Sequence, residues 1–153
     1  MVKYMSLRFI YGKSGTGKTT YCFNEIKELM ISIKERFNIK QDAEITMECN
    51  PGTLTIDKLK VMKESGINRL SIGLQAVQNY HLNAIGRIHT YEVFEKNYKE
   101  ALNVGFKNIN VDLMLALPTQ TMNELVESTK KIIDLDTKAI YDSAYEVSDK
   151  FGI

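Results

Sequence analysis

The sequence predicts an α/β fold, built as a partial (β/α) barrel or a small open parallel sheet of four to five strands with helical crossovers. Three observations carry this expectation. Strand and helix signals alternate along the chain in the order βαβαβαβα(β). Helix-length connections between successive strands demand parallel pairing. The chain has 153 residues, which suits one domain, whereas a complete eight-fold barrel needs about 250. No Pro/Gly/Ser-rich linker divides it, and its only prolines are Pro51 and Pro118.

The elements follow in order. Leu7–Tyr11 (LRFIY) is a short run of strand formers stopped by Gly12. Lys18–Phe37 reads as a helix, with Ile26, Leu29, Met30, Ile33 and Phe37 recurring at three- and four-residue steps on one face. Glu44–Cys49 is the second strand, closed by the turn signal Asn50-Pro51-Gly52. Thr55–Ser65 is a short helix with Ile56, Leu59 and Met62 inward and Gly66 at its end. Arg69–Ile72 is the third strand. Val77–Ile85 and Thr90–Val104 are helices, the latter capped by Thr90 and ended by Gly105. Asn108–Ala116 (NINVDLMLA) is the fourth and most apolar strand. Thr121–Leu135 is a helix turning Leu125, Ile132 and Leu135 inward, and Ala139–Val147 supplies the optional fifth strand. Parallel strands joined by right-handed crossovers gather their carboxyl ends on one side, so residues just after the strands are the functional candidates.

Composition narrows the function. Twenty basic residues against nineteen acidic leave a net charge of +1, which excludes a strongly basic nucleic-acid surface or an acidic tail as the main theme. Apolar content of 44% with 25% charged residues is that of a globular protein. No apolar run reaches the ~20 residues of a membrane span, and the first residues hold no signal-peptide core, so the expected location is cytoplasmic. Two cysteines, Cys22 and Cys49, make no disulfide framework. His81 and His89 lack the third convergent ligand a metal site needs, and are expected at the surface or in packing. Tyr91, Phe94, Tyr98 and Phe106 are expected in the core. An incomplete parallel sheet leaves open strand edges, with self-association as a consequence.

Gly12-Lys13-Ser14-Gly15-Thr16-Gly17-Lys18-Thr19 satisfies G-x-x-x-x-G-K-[ST], between an apolar strand and a helix. Such a loop turns backbone N–H groups around phosphate oxygens, and the helix N-terminus adds positive potential. The candidate phosphate-loop residues are Gly12, Gly15, Thr16, Gly17, Lys18 and Thr19, with Lys18 reaching the outer phosphates and Thr19 ligating magnesium. A strand-end carboxylate to complete the magnesium site would be Glu48 or Asp112. The segment SLRFIYGKSGTGKTTYCFNEIKE resembles the start of AddB-type helicase–nuclease subunits, over about the first 28 residues.

A longer resemblance rests on EITMECNPGTLT, INRLSIGLQA, AIGRIHTYEVF and GFKNINVDLMLALPTQT, in that order. From about Leu29 to Leu135 the chain resembles radical SAM proteins, nearest the oxygen-independent coproporphyrinogen III oxidase-like group that includes HemW. The resemblance implies a partial (β/α) barrel with S-adenosylmethionine (SAM) across the carboxyl ends of the strands. It implies that Glu48, Gln75, Arg87 and Asp112 contact SAM: Arg87 through the ligand carboxylate, Asp112 through the nucleoside part, Glu48 and Gln75 through polar groups. The residues themselves leave other roles open. Glu48 and Gln75 also fit solvated strand ends, Arg87 a surface arginine, and Asp112 a buried carboxylate satisfied by a backbone N–H or by Arg87.

The chain departs from that family in lacking C-x-x-x-C-x-x-C. Two cysteines cannot hold an iron–sulfur cluster alone, so radical cleavage of SAM is not expected from this chain. The phosphate-loop-like segment also stands where the family has a glycine-rich loop for the SAM amino group. The expected organisation is one α/β domain over 1–153, with a P-loop-like start at 1–28, a half-barrel at 29–135 and an unassigned tail at 136–153. Two functions follow, beside a third reading as a folded fragment that binds nothing specific. One is a truncated or chimeric radical SAM-like protein, retaining weak SAM binding without its own cluster. The other is a P-loop module binding Mg-ATP or GTP. In either case the partner is a small nucleotide-type ligand.

Overall fold

The computed structural model describes residues 18–135, and their side chains from residue 25 onward. The expected strands Leu7–Tyr11 and Ala139–Val147, and the loop residues Gly12, Gly15, Thr16 and Gly17, lie outside the described residues. So do the side chains of Lys18, Thr19 and Cys22.

Three strands form one parallel sheet in the order β1-β2-β3: Thr46–Cys49, Arg69–Gln75 and Ile109–Leu113. Five helices accompany them among the described residues: α1 (Lys18–Arg36), α2 (Ile56–Glu64), α3 (Asn79–Ala84), α4 (Tyr91–Val104) and α5 (Met122–Ile133). This is the expected open α/β sheet, with α2 crossing from β1 to β2 and α3–α4 crossing from β2 to β3.

Local chemistry explains the helix ends. Thr55, Thr90 and Thr121 each hold an extended backbone and accept from the N–H three residues on, which satisfies a donor the helix leaves free. At Thr121 the arrangement is a full capping box, with the Glu124 carboxylate accepting from the Thr121 N–H at 2.7 Å. Gly105 stops α4 at φ 99°, a left-handed conformation that a side chain would oppose.

The core lies between one sheet face and the helices. Leu70, Ile72 and Leu74 of β2 and Ile109 and Val111 of β3 pack with Leu59 and Met62 of α2, Phe94, Tyr98 and Ala101 of α4, and Ile132 of α5. Phe106 is buried with them and Tyr91 packs at their margin, as expected. Cys49 also faces this core, and burial pushes its thiol up to about 11.

Some expectations need correction. Leu29 and Phe37 are 57% and 66% exposed, and Ile56 is 45% exposed, so none is a core residue. The α1 stripe is covered only where α1 meets α2 and the core edge, through Met30 and Ile26. β2 runs on past Ile72 to Gln75, because Gly73 does not break it but pairs with Asp112. β3 ends at Leu113 rather than Ala116: the chain turns away through Ala116 and Thr119, both with left-handed φ (57° and 65°). Both histidines are buried, so packing is their role and the surface alternative falls.

Candidate functional site

Alternation gives the sheet a second, polar face. In β2 the even positions Leu70, Ile72 and Leu74 point into the core, so Ser71, Gly73 and the approach to Gln75 turn the other way. In β3 the same parity sends Asn110 and Asp112 to that face, and in β1 it sends Thr46 and Glu48. Parallel register then aligns them in rows. Glu48 stands opposite Ser71 and Ser71 opposite Asn110, while Gly73 stands opposite Asp112 one step nearer the carboxyl ends.

Among the described residues, Asp112 takes neither Arg87 nor a backbone N–H as its partner. Ser71 Oγ donates to Asp112 Oδ2 at 2.9 Å, and Asn110 Nδ2 donates to Asp112 Oδ1 at 2.6 Å. Asn110 Nδ2 also reaches Ser71 Oγ at 3.1 Å, so the three side chains close a ring. A half-buried carboxylate is tolerated in a sheet when its oxygens are met in this way.

Gln75 sits at the bulge that ends the β2–β3 ladder, with φ 75°. Its carbonyl accepts from Met114 N–H at 2.9 Å, which ties the two strand ends together. Its side chain folds back over Gly73: a Cβ there would stand 2.6 Å from Gln75 Nε2 and 3.8 Å from Asn50 Oδ1. A side chain at position 73 would therefore displace the Gln75 amide, so the glycine matters through a close approach and not through a turn.

Arg87 arrives from the α3–α4 connection. Gly86 turns the chain at φ 72°, and His89 Nε2 lies 3.2 Å from the Leu74 carbonyl, anchoring the connection to the end of β2. Arg87 Nη1 then donates to Asn50 Oδ1 at 2.7 Å. Burial lowers the His89 pKa below its ordinary value. The Leu74 carbonyl opposes this, and the Arg87 charge adds to it. A neutral imidazole thus holds the loop that delivers the guanidinium.

Glu48 is exposed, and its carboxylate has no hydrogen-bond or ion-pair partner among the described residues. Of the four expected contacts, Gln75 and Arg87 converge on the Asn50–Gly73 corner, and Asp112 joins through its pairing with Gly73. Glu48 shares their face one row back. Asn50, Ser71, Gly73 and Asn110 were not among the candidates. The signal for Ser71, Gly73 and Asn110 was the strict alternation in RLSIGLQ and INVDL, which an average of apolar content conceals, while Asn50 lay within the turn signal Asn50-Pro51-Gly52.

The arrangement offers one guanidinium, the Asn50 and Gln75 amides and two carboxylates around Gly73. Such a set suits an elongated ligand carrying both charges and hydroxyls. Among the described residues no three His, Cys, Asp or Glu side chains are grouped to hold a metal ion. Cys49 points into the core on the opposite face from the polar rows. No helix among the described residues is long and apolar enough to cross a membrane.

Comparison with known proteins agrees with this geometry. Residues 11–132 match the Radical SAM superfamily, a span that takes in Gly12, Gly15, Thr16, Gly17, Lys18 and Thr19 as well as the sheet. The heme chaperone HemW of Bacillus subtilis (strain 168) is 36% identical over 133 residues, covering 86% of this chain and 35% of that protein. The oxygen-independent coproporphyrinogen III oxidase of Helicobacter pylori (strain J99) is 33% identical over 130 residues, covering 84% and 28%. Among solved structures, coproporphyrinogen III oxidase (HemN) from Escherichia coli, a radical SAM enzyme, superposes with a TM-score of 0.68 at 30% identity, covering 75% of this chain and 26% of that one. The Elp3 protein of Methanocaldococcus infernus shares the fold, with a TM-score of 0.60 at 19% identity. The chain spans about a third of the length of the HemW proteins it matches.

Proposed function

The chain belongs to the radical SAM superfamily, on its coproporphyrinogen III oxidase and HemW side, and from that premise we propose that the polar face of its sheet binds S-adenosylmethionine. Arg87 pairs with the ligand carboxylate, for which a planar fork is well shaped. Asp112 accepts from the ribose hydroxyls, while Gln75 and Glu48 meet the remaining polar groups of the methionyl end. The observation that carries this reading is the corner where Arg87, Asn50, Gln75 and Gly73 come together beside Asp112.

In the family a [4Fe-4S] cluster supplies the electron that cleaves SAM. This chain's residues do not fit that group, since it has two cysteines in all and Cys49 is held protonated in the core. The reading is therefore SAM binding without cleavage by this chain alone. What the residues do is hold and orient: a guanidinium at one end of the ligand, a fixed carboxylate at the other, and Gly73 with the Gln75 amide over it between them.

Calorimetric titration of the purified chain with SAM, and separately with Mg-ATP, tests this. SAM is expected to bind, and Arg87→Ala to weaken it about tenfold, as loss of a charge-assisted pair would. Silence toward SAM from a folded protein overturns the reading. Heat from Mg-ATP that disappears in Lys18→Ala would make the glycine loop the functional part. Anaerobic iron and sulfide reconstitution is expected to leave less than stoichiometric iron, and a stoichiometric cluster would overturn the second half of the proposal.

A further inference from the structure

We infer that Ser71 and Asn110 are positioning residues that present the Asp112 carboxylate to a ligand's hydroxyls. The inference rests on the SAM-binding reading and adds two residues to it. Three features of the ring carry it beyond ordinary packing.

The first is direction. Ser71 has one hydroxyl hydrogen, and it goes to Asp112 Oδ2 at 2.9 Å. Its oxygen accepts from Asn110 Nδ2 at 3.1 Å, and the same amide donates to Asp112 Oδ1 at 2.6 Å. Every bond runs toward the carboxylate. Flipping the Asn110 amide would set its oxygen against the Asp112 oxygen, so the donor assignment follows from the network.

The second is saturation. An ionised carboxylate has about four acceptor sites. The protein fills one on each oxygen, which fixes the plane of the group and leaves the other site on each oxygen open. Two adjacent hydroxyls, as on a ribose, match two open sites on a fixed carboxylate. A carboxylate free to rotate would lose that match to side-chain entropy.

The third is cost. Ser71 lies on the central strand and Asn110 is 9% exposed, directly opposite it in the ladder. Polar side chains at such positions are unfavourable unless paired, and apolar pairs would serve the fold better. Among the described residues their side-chain bonds are to each other and to Asp112. The pair therefore serves Asp112.

A mutant cycle read by SAM titration tests this on the whole chain. Ser71→Ala is expected to weaken SAM about fivefold, in line with loss of one hydrogen bond to a charged group. Asn110→Ala should do at least as much, and Ser71→Thr, which keeps the hydroxyl, should stay within about twofold of the parent. In an Asp112→Asn background, Ser71→Ala should add almost nothing, because its effect runs through the carboxylate. Thermal melts of each variant separate a folding loss from an affinity loss. If Ser71→Ala binds like the parent, or weakens SAM equally in both backgrounds, the inference is wrong while the SAM reading stands. If the parent itself is silent toward SAM, both fall.

Discussion

The two faces of one small sheet obey opposite rules. Toward the helices, Leu70, Ile72 and Leu74 of β2 are fully buried and their side chains join the apolar cluster. On the other side of the same backbone, Ser71 and Gly73 border Asn110, Asp112 and Gln75, and hydrogen bonds replace packing. Adjacent residues thus answer to different demands. The helix face supplies the burial that makes the sheet form, and the polar face spends part of that stability on fixed acceptors and donors. The lesson is that a two-residue period lets one strand specify a core and a site at once.

The sharpest way to break that separation is to cut into the core face. Ile72→Ala should cost about 3 kcal/mol, through lost burial and a residual cavity. Urea denaturation would measure it, and SAM affinity of the folded fraction should change less than about twofold. A loss under about 1 kcal/mol would mean that the helices do not pack on β2 as described.

Gly73→Ala tests the boundary between the faces. The new methyl would meet Gln75 Nε2 at 2.6 Å, the far end of a flexible side chain. Gln75 can move aside, so stability should change by less than about 1 kcal/mol, while SAM affinity falls about threefold or more as the corner is filled. Equal affinity in titration would show that Gln75 and the floor of the corner take no part in binding.

The smallest expected effect concerns the loop that links the faces. Burial keeps the His89 pKa below its ordinary 6.5. The unfolded chain therefore takes up a proton that the native chain refuses. Stability is fully present above about pH 6.5 and declines as pH falls through the lower native value. His89→Gln, which retains a donor for the Leu74 carbonyl, should flatten that decline in urea midpoints measured from pH 7.5 to 5. An unchanged slope would assign the acid sensitivity to other groups.

Much of the architecture was legible. Thr55, Thr90 and Thr121 mark helix starts, and Gly66 and Gly105 mark ends, because capping and left-handed turns are local chemistry. Glu48, Gln75 and Asp112 stand out as polar residues at strand ends, and all three fall on one face. Ser71 and Asn110 were passed over because the segments around them read as simply apolar. Leu29, Phe37 and Ile56 were placed inward because periodicity defines a stripe but not what covers it.

The sequence by itself determined the order of elements, their caps, the parity of each strand and membership of a fold family. All of these depend on neighbours a few residues apart or on the pattern of the whole chain. Only the tertiary structure decided which polar groups meet. Arg87 finds Asn50 across 37 positions, and Ser71 finds Asp112 across 41. Such pairs depend on ladder register and on the path of a loop anchored by a buried histidine. Neither is fixed until the strands have paired and the helices have closed over the other face.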